Sequence, residues 1–335
     1  AEIDGEPMIP LSVLGKLRHE MVARLDERLK SRPNREISAH VRSLQPSTPN
    51  AGQDRSGPSR LVLLCRSLPQ LRELMQLDCR DVIVDFADIR QYRDAVQIAR
   101  ECDARLLLAT PRIHKPTETG LFRKILQQAA EGVLVRNLAG LAFFVDKQVP
   151  TYADFSLNVA NQLTADFLRD SGAQRMTVSY DLSRDQVFDL IDAVPADLLE
   201  VVVHQHMPMF HMEHCVFCAV LSPGTNKTNC GRPCDHHEVH LRDRVGMQHL
   251  LTADVGCRNT LFNAQPQSSA EIVPDLLDRG IRFFRVELLG NESLPDLRRI
   301  VDLYQRLLSG QVSAKDVWRQ LNACNRVGVT RGTME

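Results

Sequence analysis

LVLLCRSLPQLRELMQLDCRDVIVDFADIRQYRDAVQIARECDARLLLAT, residues 61–110, is the stretch whose rhythm decides the fold. Three short apolar runs, LVLLC (61–65), DVIVDF (81–86) and RLLLAT (105–110), are separated by the amphipathic stretches Leu68 to Leu77 and Ile89 to Cys102. Strands joined by helices of this length pair in parallel, because the helix carries the chain back to the same end of the sheet. The pattern continues downstream with GVLVRN (132–137), TYADFS (151–156), RMTVSY (175–180), EVVVHQ (200–205) and FFRVEL (283–288). Helical stretches from Leu121 to Ala130, Ala160 to Asp170 and Arg184 to Val194 lie between them. Eight strands, most followed by a helix at intervals of roughly 20–28 residues, predict an α/β fold of the (β/α)8 TIM-barrel type. An open doubly wound sheet is the competing arrangement, but no Gly-rich phosphate loop follows the first strand.

Upstream, Leu11, Leu14, Leu17, Met21, Leu25 and Leu29 recur at helical steps, so residues 9 to 31 predict an amphipathic helix with Pro10 near its start. Residues 32 to 60 lose that period and fill with Ser, Pro, Asn and Gly, which predicts a linker and a domain boundary near residue 60. The expected organisation is therefore 1–60, helix and linker ending a preceding domain, and 61–335, a barrel-like catalytic domain. The chain opens on Ala1 without a basic-then-apolar leader, and the expectation is a fragment or processed chain. The longest apolar run, Leu138 to Val145, is too short to span a bilayer. A net charge of −1 gives no global pull toward nucleic acid, so such a partner must be held by a local patch.

In a barrel the working residues sit where strands end. Those ends offer Cys65 and Arg66, Asp85, Arg112 and His114, Arg136 and Asn137, Asn158, Tyr180 and Asp181, His204 and His206, and Glu287. Arg66, Arg112, Arg136 and Arg258 would converge near the mouth, a group suited to an anionic substrate, phosphates of RNA included.

After the seventh strand the chain from His204 to Cys257 holds five of the nine cysteines and eight of the eleven histidines. Cys215 and Cys218 form a CxxC pair, Cys230 and Cys234 a second close pair, and Cys257 follows later. Two such pairs predict a metal or cluster site in a reducing compartment, the cytoplasm by default. Structural zinc, a [2Fe–2S] cluster and a [4Fe–4S] cluster are all compatible with thiolate ligands; zinc would leave Cys257 unused, whereas a cluster accepts widely separated ligands. EVHLRDRVGMQHLLTAD (238–254) reads as a β-hairpin around Asp243-Arg244-Val245-Gly246 that would carry Cys257 back toward Cys215, inside an insertion spanning 204–264. There is no GxSxG, Walker loop or GxGxxG, and HEVH (237–240) is one residue short of HExxH, so hydrolysis by a standard serine or zinc mechanism is unsupported.

HMEHCVFC, CGRPC, LRDRVG, TADVGCRN and the late FFRVELL together resemble the collagenase-like peptidase family U32 over roughly residues 61 to 310. The opening DGEPMIPLSVLGKLRHEMV resembles the helix that follows an inserted domain in long members. The resemblance implies a [4Fe–4S] cluster and, in members that carry one, oxygen-independent hydroxylation of RNA bases or a quinone precursor; the family name implies protein hydrolysis. By position Cys215, Cys230 and Cys257 match three ligands. The fourth expected ligand falls where this chain has Pro208 and Met209, so Cys218 substitutes with Cys234 in reserve. Glu287 matches an acidic residue of the last strand. The expectation is an iron–sulfur enzyme with Glu287, His204, Arg112 and Arg136 catalytic, and Arg66, Asn158, Tyr180 and Arg258 binding an RNA or small ring substrate. A collagenase-like peptidase acting on protein and a zinc-stabilised RNA- or protein-binding module are the alternatives; a membrane partner is not expected.

Overall fold

The computed structural model describes residues 5, 8–31, 57–324 and 328–334. Its contacts divide into two compact units, 1–45 and 46–335. In the first, helix α1 (Leu11–Lys30) starts after Pro10, and its stripe of Leu11, Leu14, Leu17, Met21, Leu25 and Leu29 is exposed. Most of the predicted linker, 32–56, lies outside the described residues.

The second unit opens β1 (Arg60–Cys65), α2 (Leu68–Gln76), β2 (Asp81–Val84), α3 (Tyr92–Glu101), β3 (Arg105–Ala109) and α4 (Thr119–Leu126). It continues β4 (Gly132–Val135), α5 (Leu138–Asp146), β5 (Thr151–Ala153), α6 (Gln162–Asp170), β6 (Arg175–Thr177), α7 (Arg184–Ala193) and β7 (Leu199–Gln205). Then come β8 (Pro208–Met212), α8 (Val216–Leu221), β9 (Val239–Arg242), β10 (Gln248–Ala253), β11 (Asn259–Phe262) and β12 (Gln267–Ser268). The chain closes with α9 (Val273–Asp278), β13 (Phe283–Glu287), α10 (Leu294–Leu308) and α11 (Ala314–Cys324). All eight predicted strands are present. They run parallel in the order β7-β13-β1-β2-β3-β4-β5-β6, and β6 pairs with β7 to close the ring. Side-chain caps start the helices crisply: Ser67, Asn137, Asn161, Ser183 and Ser293 each accept a backbone N–H from the first turn.

The insertion is larger than a hairpin. The predicted hairpin arms are β9 and β10, pairing from Gln248 with Arg242 to Leu251 with Val239, but they belong to a four-stranded antiparallel sheet in the order β8-β11-β10-β9. No cysteine lies in its arms: four precede it and Cys257 follows. Among the described residues no helix is long and apolar enough to cross a membrane.

Alternation along the strands separates two layers. Leu63, Cys65, Val82, Val84, Leu106, Leu108, Val133, Val135, Phe284 and Val286 face outward into the core shared with the helices. Inward, Val62, Leu64, Ile83, Leu107, Ala109, Leu134 and Tyr152 fill one half of the barrel. The other half is ionic. Arg285 is fully buried; its Nη2 donates to Asp154 Oδ1 (2.7 Å) and Thr177 Oγ1 (2.7 Å), and its Nε stands 3.3 Å from Glu200 and 3.4 Å from Glu287. Glu200 accepts from Arg175 Nε at 2.9 Å, and Asp154 accepts from Arg136 Nε at 2.8 Å. Burial alone would raise the Asp154 carboxyl, but Arg285 and Arg136 overcome it and hold Asp154 at about 2.

Removing a partner from a buried pair leaves an uncompensated charge, so Arg285→Met should destabilise the barrel by about 3–5 kcal/mol in urea unfolding; a loss below about 1 kcal/mol would show the ladder to be energetically idle. Because Asp154 is depressed from an unfolded value of about 4, the stabilisation it supplies is complete above that value. It drains as pH falls from about 4 toward 2. Thermal unfolding of the wild type across that window should show the decline, and Asp154→Asn should flatten it.

Candidate functional site

Inward-facing positions that are apolar inside the barrel become charged where the strands end. Leu64 is followed on its face by Arg66, Ile83 by Asp85, Leu134 by Arg136, Tyr152 by Asp154, and Arg285 by Glu287. Arg136 joins two of them: its Nη1 and Nη2 donate to Asp85 at 2.9 and 3.0 Å while its Nε holds Asp154. Arg66 Nη2 donates to Glu287 at 3.2 Å, its Nε lies 3.7 Å from Asp85, and Nη1 donates to the Leu288 carbonyl. Burial would raise Asp85, but Arg136 and Arg66 keep its carboxyl below the usual range. Tyr180 OH donates to Glu287 Oε1 at 2.7 Å, and burial and that carboxylate hold the phenol well above its ordinary value. Tyr180 therefore remains a proton-bearing hydroxyl.

This charged floor closes a 440 Å3 cavity, lidded by the insertion sheet through Leu250, Thr252, Thr260 and Phe262. The Arg66 guanidinium lies 5.0 Å from the Phe262 ring centre, tying floor to lid. His211 also faces the cavity; its Nδ1 is 2.9 Å from Thr260 Oγ1, and burial, Arg112 and Arg136 push it down to about 4.

The residues expected from sequence do not all meet at the mouth. Arg66, Arg112, Arg136 and Glu287 line the cavity, and Tyr180 reaches it through Glu287. Asn158, in left-handed conformation at φ 54°, lines rim cavities beside Arg112. His204 does not face the mouth. Between Arg285 and Val286 the register of β13 on β7 slips, so Arg285 opposes Val202 but Val286 opposes His204. That bulge turns His204 outward with Val286, against Tyr304 of α10 (ring centres 5.6 Å apart), where burial depresses the imidazole to about 3. His114 likewise stacks on Phe122 of α4, 4.2 Å between ring centres.

Arg258 is also absent from the mouth cavity. Nearly fully buried, it donates from Nε to Glu213 (2.7 Å) and from Nη2 to Glu118 (2.8 Å), while Lys115 Nζ reaches Glu213 at 2.6 Å. Its chain clamps the insertion to the β3–α4 connection. Asp154 and Arg285 could have been found by extending the inward alternation of their strands. His211 and Asp254 carry no local signal, because the insertion sheet alone aims them.

Behind the lid lies an 840 Å3 cavity that all five insertion cysteines line. Cys215 caps the short α8 and Cys218 lies one turn later. Gly224 presses on the next segment so tightly that a Cβ there would meet the Asn229 carbonyl at 2.4 Å. Cys230 accepts from Arg232 N at 3.4 Å, and Arg232 is left-handed at φ 54° ahead of Pro233 and Cys234. Cys257 sits at φ 63° in the β10–β11 turn, where Asp254 Oδ1 accepts from Gly256 N (2.7 Å) and Arg258 N (2.9 Å). Asn259 completes the approach: Val216 N donates to its Oδ1 at 2.8 Å and its Nδ2 lies 3.8 Å from Cys215 Sγ.

The thiols affect one another. Burial, then Cys230 and Cys215, raise Cys218. Burial raises Cys257, opposed by Lys227 and reinforced by Cys215 and Cys230. Burial, Asp235, Cys215 and Cys257 raise Cys234. Among the described residues no three His, Cys, Asp or Glu side chains converge as a single metal ion requires. An all-thiol set around a roomy cavity, with backbone and amide N–H groups aimed at sulfur, fits a cluster. The two cavities share a wall of Phe217, Cys234, Asp235, Ala253, Asp254 and Val255. Asp254 Oδ2 is buried in that wall without a partner, and burial raises the carboxyl.

The sequence model of peptidase family U32 matches residues 74–328. The chain is 24% identical over 151 residues to the tRNA hydroxylation protein P of Helicobacter pylori strain 26695, and 25% identical over 163 residues to that of strain J99. These alignments cover 44% and 48% of this chain but only 36% and 37% of the relatives. Among solved structures, a dihydrodipicolinate synthase family protein from Coccidioides immitis aligns over 82% of this chain and 81% of its own at 10% identity, with a TM-score of 0.43. The family match spans most of the barrel and the whole insertion, and by it this chain belongs to peptidase family U32.

Proposed function

We propose that this chain is an iron–sulfur enzyme that hydroxylates a base of RNA without O2, its [4Fe–4S] cluster held by Cys215, Cys218, Cys230 and Cys257. The observation that carries the reading is the wall shared by the cysteine-lined cavity and the mouth cavity. Similarity to the tRNA hydroxylation protein P supports RNA as the substrate class. Cys215, Cys218, Cys230 and Cys257 line one cavity, and Cys234, which lines it too and also faces the mouth, is held in reserve. Five unpaired thiols belong in a reducing compartment, which favours the cytoplasm.

Replacing a ring C–H by C–OH requires an oxygen donor and a two-electron acceptor, and the cluster, when bound, supplies a route for those electrons. The chain's own residues do the rest. A planar ring fits the 440 Å3 cavity, and the insertion sheet covers part of it. Glu287, held between Tyr180, Arg66 and Arg285, lines the cavity and is the carboxylate placed to accept the proton that leaves the ring, with the Tyr180 hydroxyl orienting it. Arg136 and Arg66 position these carboxylates; their charges are already matched. His204 faces α10 and takes no part.

Protein purified anaerobically should be brown and carry about four iron and four sulfide per chain. Cys218→Ser should lose most of that iron and Cys234→Ser should keep it; one stoichiometric zinc without sulfide would overturn the assignment. Glu287→Gln should retain iron yet lower the rate of oxygen incorporation into RNA nucleosides, followed by mass spectrometry, about 100-fold or more.

The family name and one contact favour a second reading, protein hydrolysis: Thr260 Oγ1 and His211 Nδ1 form a hydroxyl–imidazole pair in the cavity. His211 Nε2 is buried without a partner, so no carboxylate orients the base. Gelatin cleavage that survives repurification and vanishes in Thr260→Val would establish this reading over the first.

A further inference from the structure

Of the arginines at the barrel mouth, most are already neutralised. Arg66 and Arg136 each meet at least one carboxylate, as do Arg285 beneath them and Arg258 outside the mouth cavity. Arg112 is different. Its guanidinium makes no hydrogen bond or ion pair among the described residues and instead lies over the Phe155 ring, 5.3 Å from its centre. Burial and the like charge of Arg136 push its pKa down, so it sits in a field that an anion would relieve.

Three cavities meet at this one side chain. The first is the 440 Å3 mouth. The second, 470 Å3, runs along Tyr180, Asn158, Met209 and Phe210. The third, 500 Å3, runs along Asn158, Leu138 and Phe167. Across the two rim cavities the single carboxylate among the lining residues is Asp181. Each rim cavity carries an exposed aromatic: Phe210 is 61% exposed and Phe167 55%. Exposed aromatics are costly to leave in water and are the usual platforms for unstacked bases.

We propose that Arg112 is the phosphate clamp at which a single RNA strand bends, the target base entering the mouth and its two neighbours lying in the rim cavities against Phe210 and Phe167. The inference rests on the RNA reading and deepens it. A small ring substrate would need the mouth alone. A ligand that fills three cavities radiating from one cation is a series of planar units joined by anions, which describes a single-stranded polynucleotide. Asn158, between the rim cavities, supplies amide hydrogen bonds at the bend, and its left-handed backbone aims it there. The target base must leave its stack to reach the cavity, as in other enzymes that modify bases.

The test is equilibrium binding of the whole chain to a nucleoside monophosphate and to mixed-sequence single-stranded RNA of three and seven nucleotides, read by fluorescence anisotropy or competition over a salt series. Wild type should bind the trinucleotide at least about tenfold more tightly than the monophosphate, since each stacked neighbour contributes on the order of 1–3 kcal/mol. Arg112→Gln should weaken the trinucleotide about tenfold and reduce the slope of log K against log salt by about 0.7, the share of one phosphate on a single strand. Arg112→Lys should restore the slope. Phe210→Ser and Phe167→Ser should weaken the oligonucleotides and leave the monophosphate unchanged. If RNA binds but Arg112→Gln keeps full affinity and slope, or the trinucleotide binds no better than the monophosphate, the clamp is overturned and the RNA reading stands. If folded wild type binds no RNA of any length, both fall.

Discussion

Everything at the mouth depends on a ladder of ion pairs that starts in one half of the barrel interior and crosses the strand ends: Arg175, Glu200, Arg285, Asp154, Arg136, Asp85, Arg66 and Glu287. Four arginines and four carboxylates leave the ladder neutral, which is the condition under which charges survive in a low-dielectric interior. Each member is held by the next, so the site floor is pre-organised before any ligand arrives. The apolar half of the interior, Val62, Leu64, Ile83, Leu107 and their neighbours, supplies the packing that the ionic half forgoes.

Neutrality also assigns roles by subtraction. Arg136 and Arg66 look from sequence like anion-binding groups, yet their charge is committed to Asp85, Asp154 and Glu287. Arg112, one strand away, makes no ion pair among the described residues and lies over the Phe155 ring at the rim. A residue's availability to substrate is thus set by the partners its neighbours have already taken, not by its type.

The insertion solves a different problem. Five thiols must face one volume on irregular backbone, and thiolates repel. Left-handed Arg232 and Cys257, and Gly224 pressed on the next loop, are conformations that persist only because the four-stranded sheet and the Arg258 clamp over-determine them. The sheet that joins the cysteine-bearing loops also covers the mouth cavity, so the cysteine-lined cavity and the mouth cavity share Asp254 and Cys234 as a common wall.

Periodicity in the sequence determined the barrel: eight apolar runs with helices between them admit few other closed arrangements, and strand ends then place Arg66, Asp85, Arg136 and Glu287 at the mouth. Cysteine spacing likewise marked one insertion as the place where five thiols gather around one cavity. Both signals are local, and both follow from the period of the backbone. Pairing across the fold was left to the tertiary structure. One extra residue in β7 turned His204 from the mouth to the helix layer, because a bulge reverses which face a strand presents. Arg258 became a clamp because Glu118, 140 residues earlier in the chain, happens to lie beside it. Arg112 has no carboxylate in ion-pair contact among the described residues, whereas Arg66, Arg136 and Arg258 found theirs on distant parts of the chain. Such partnerships depend on which side chains meet when the barrel closes, and no local pattern encodes that meeting.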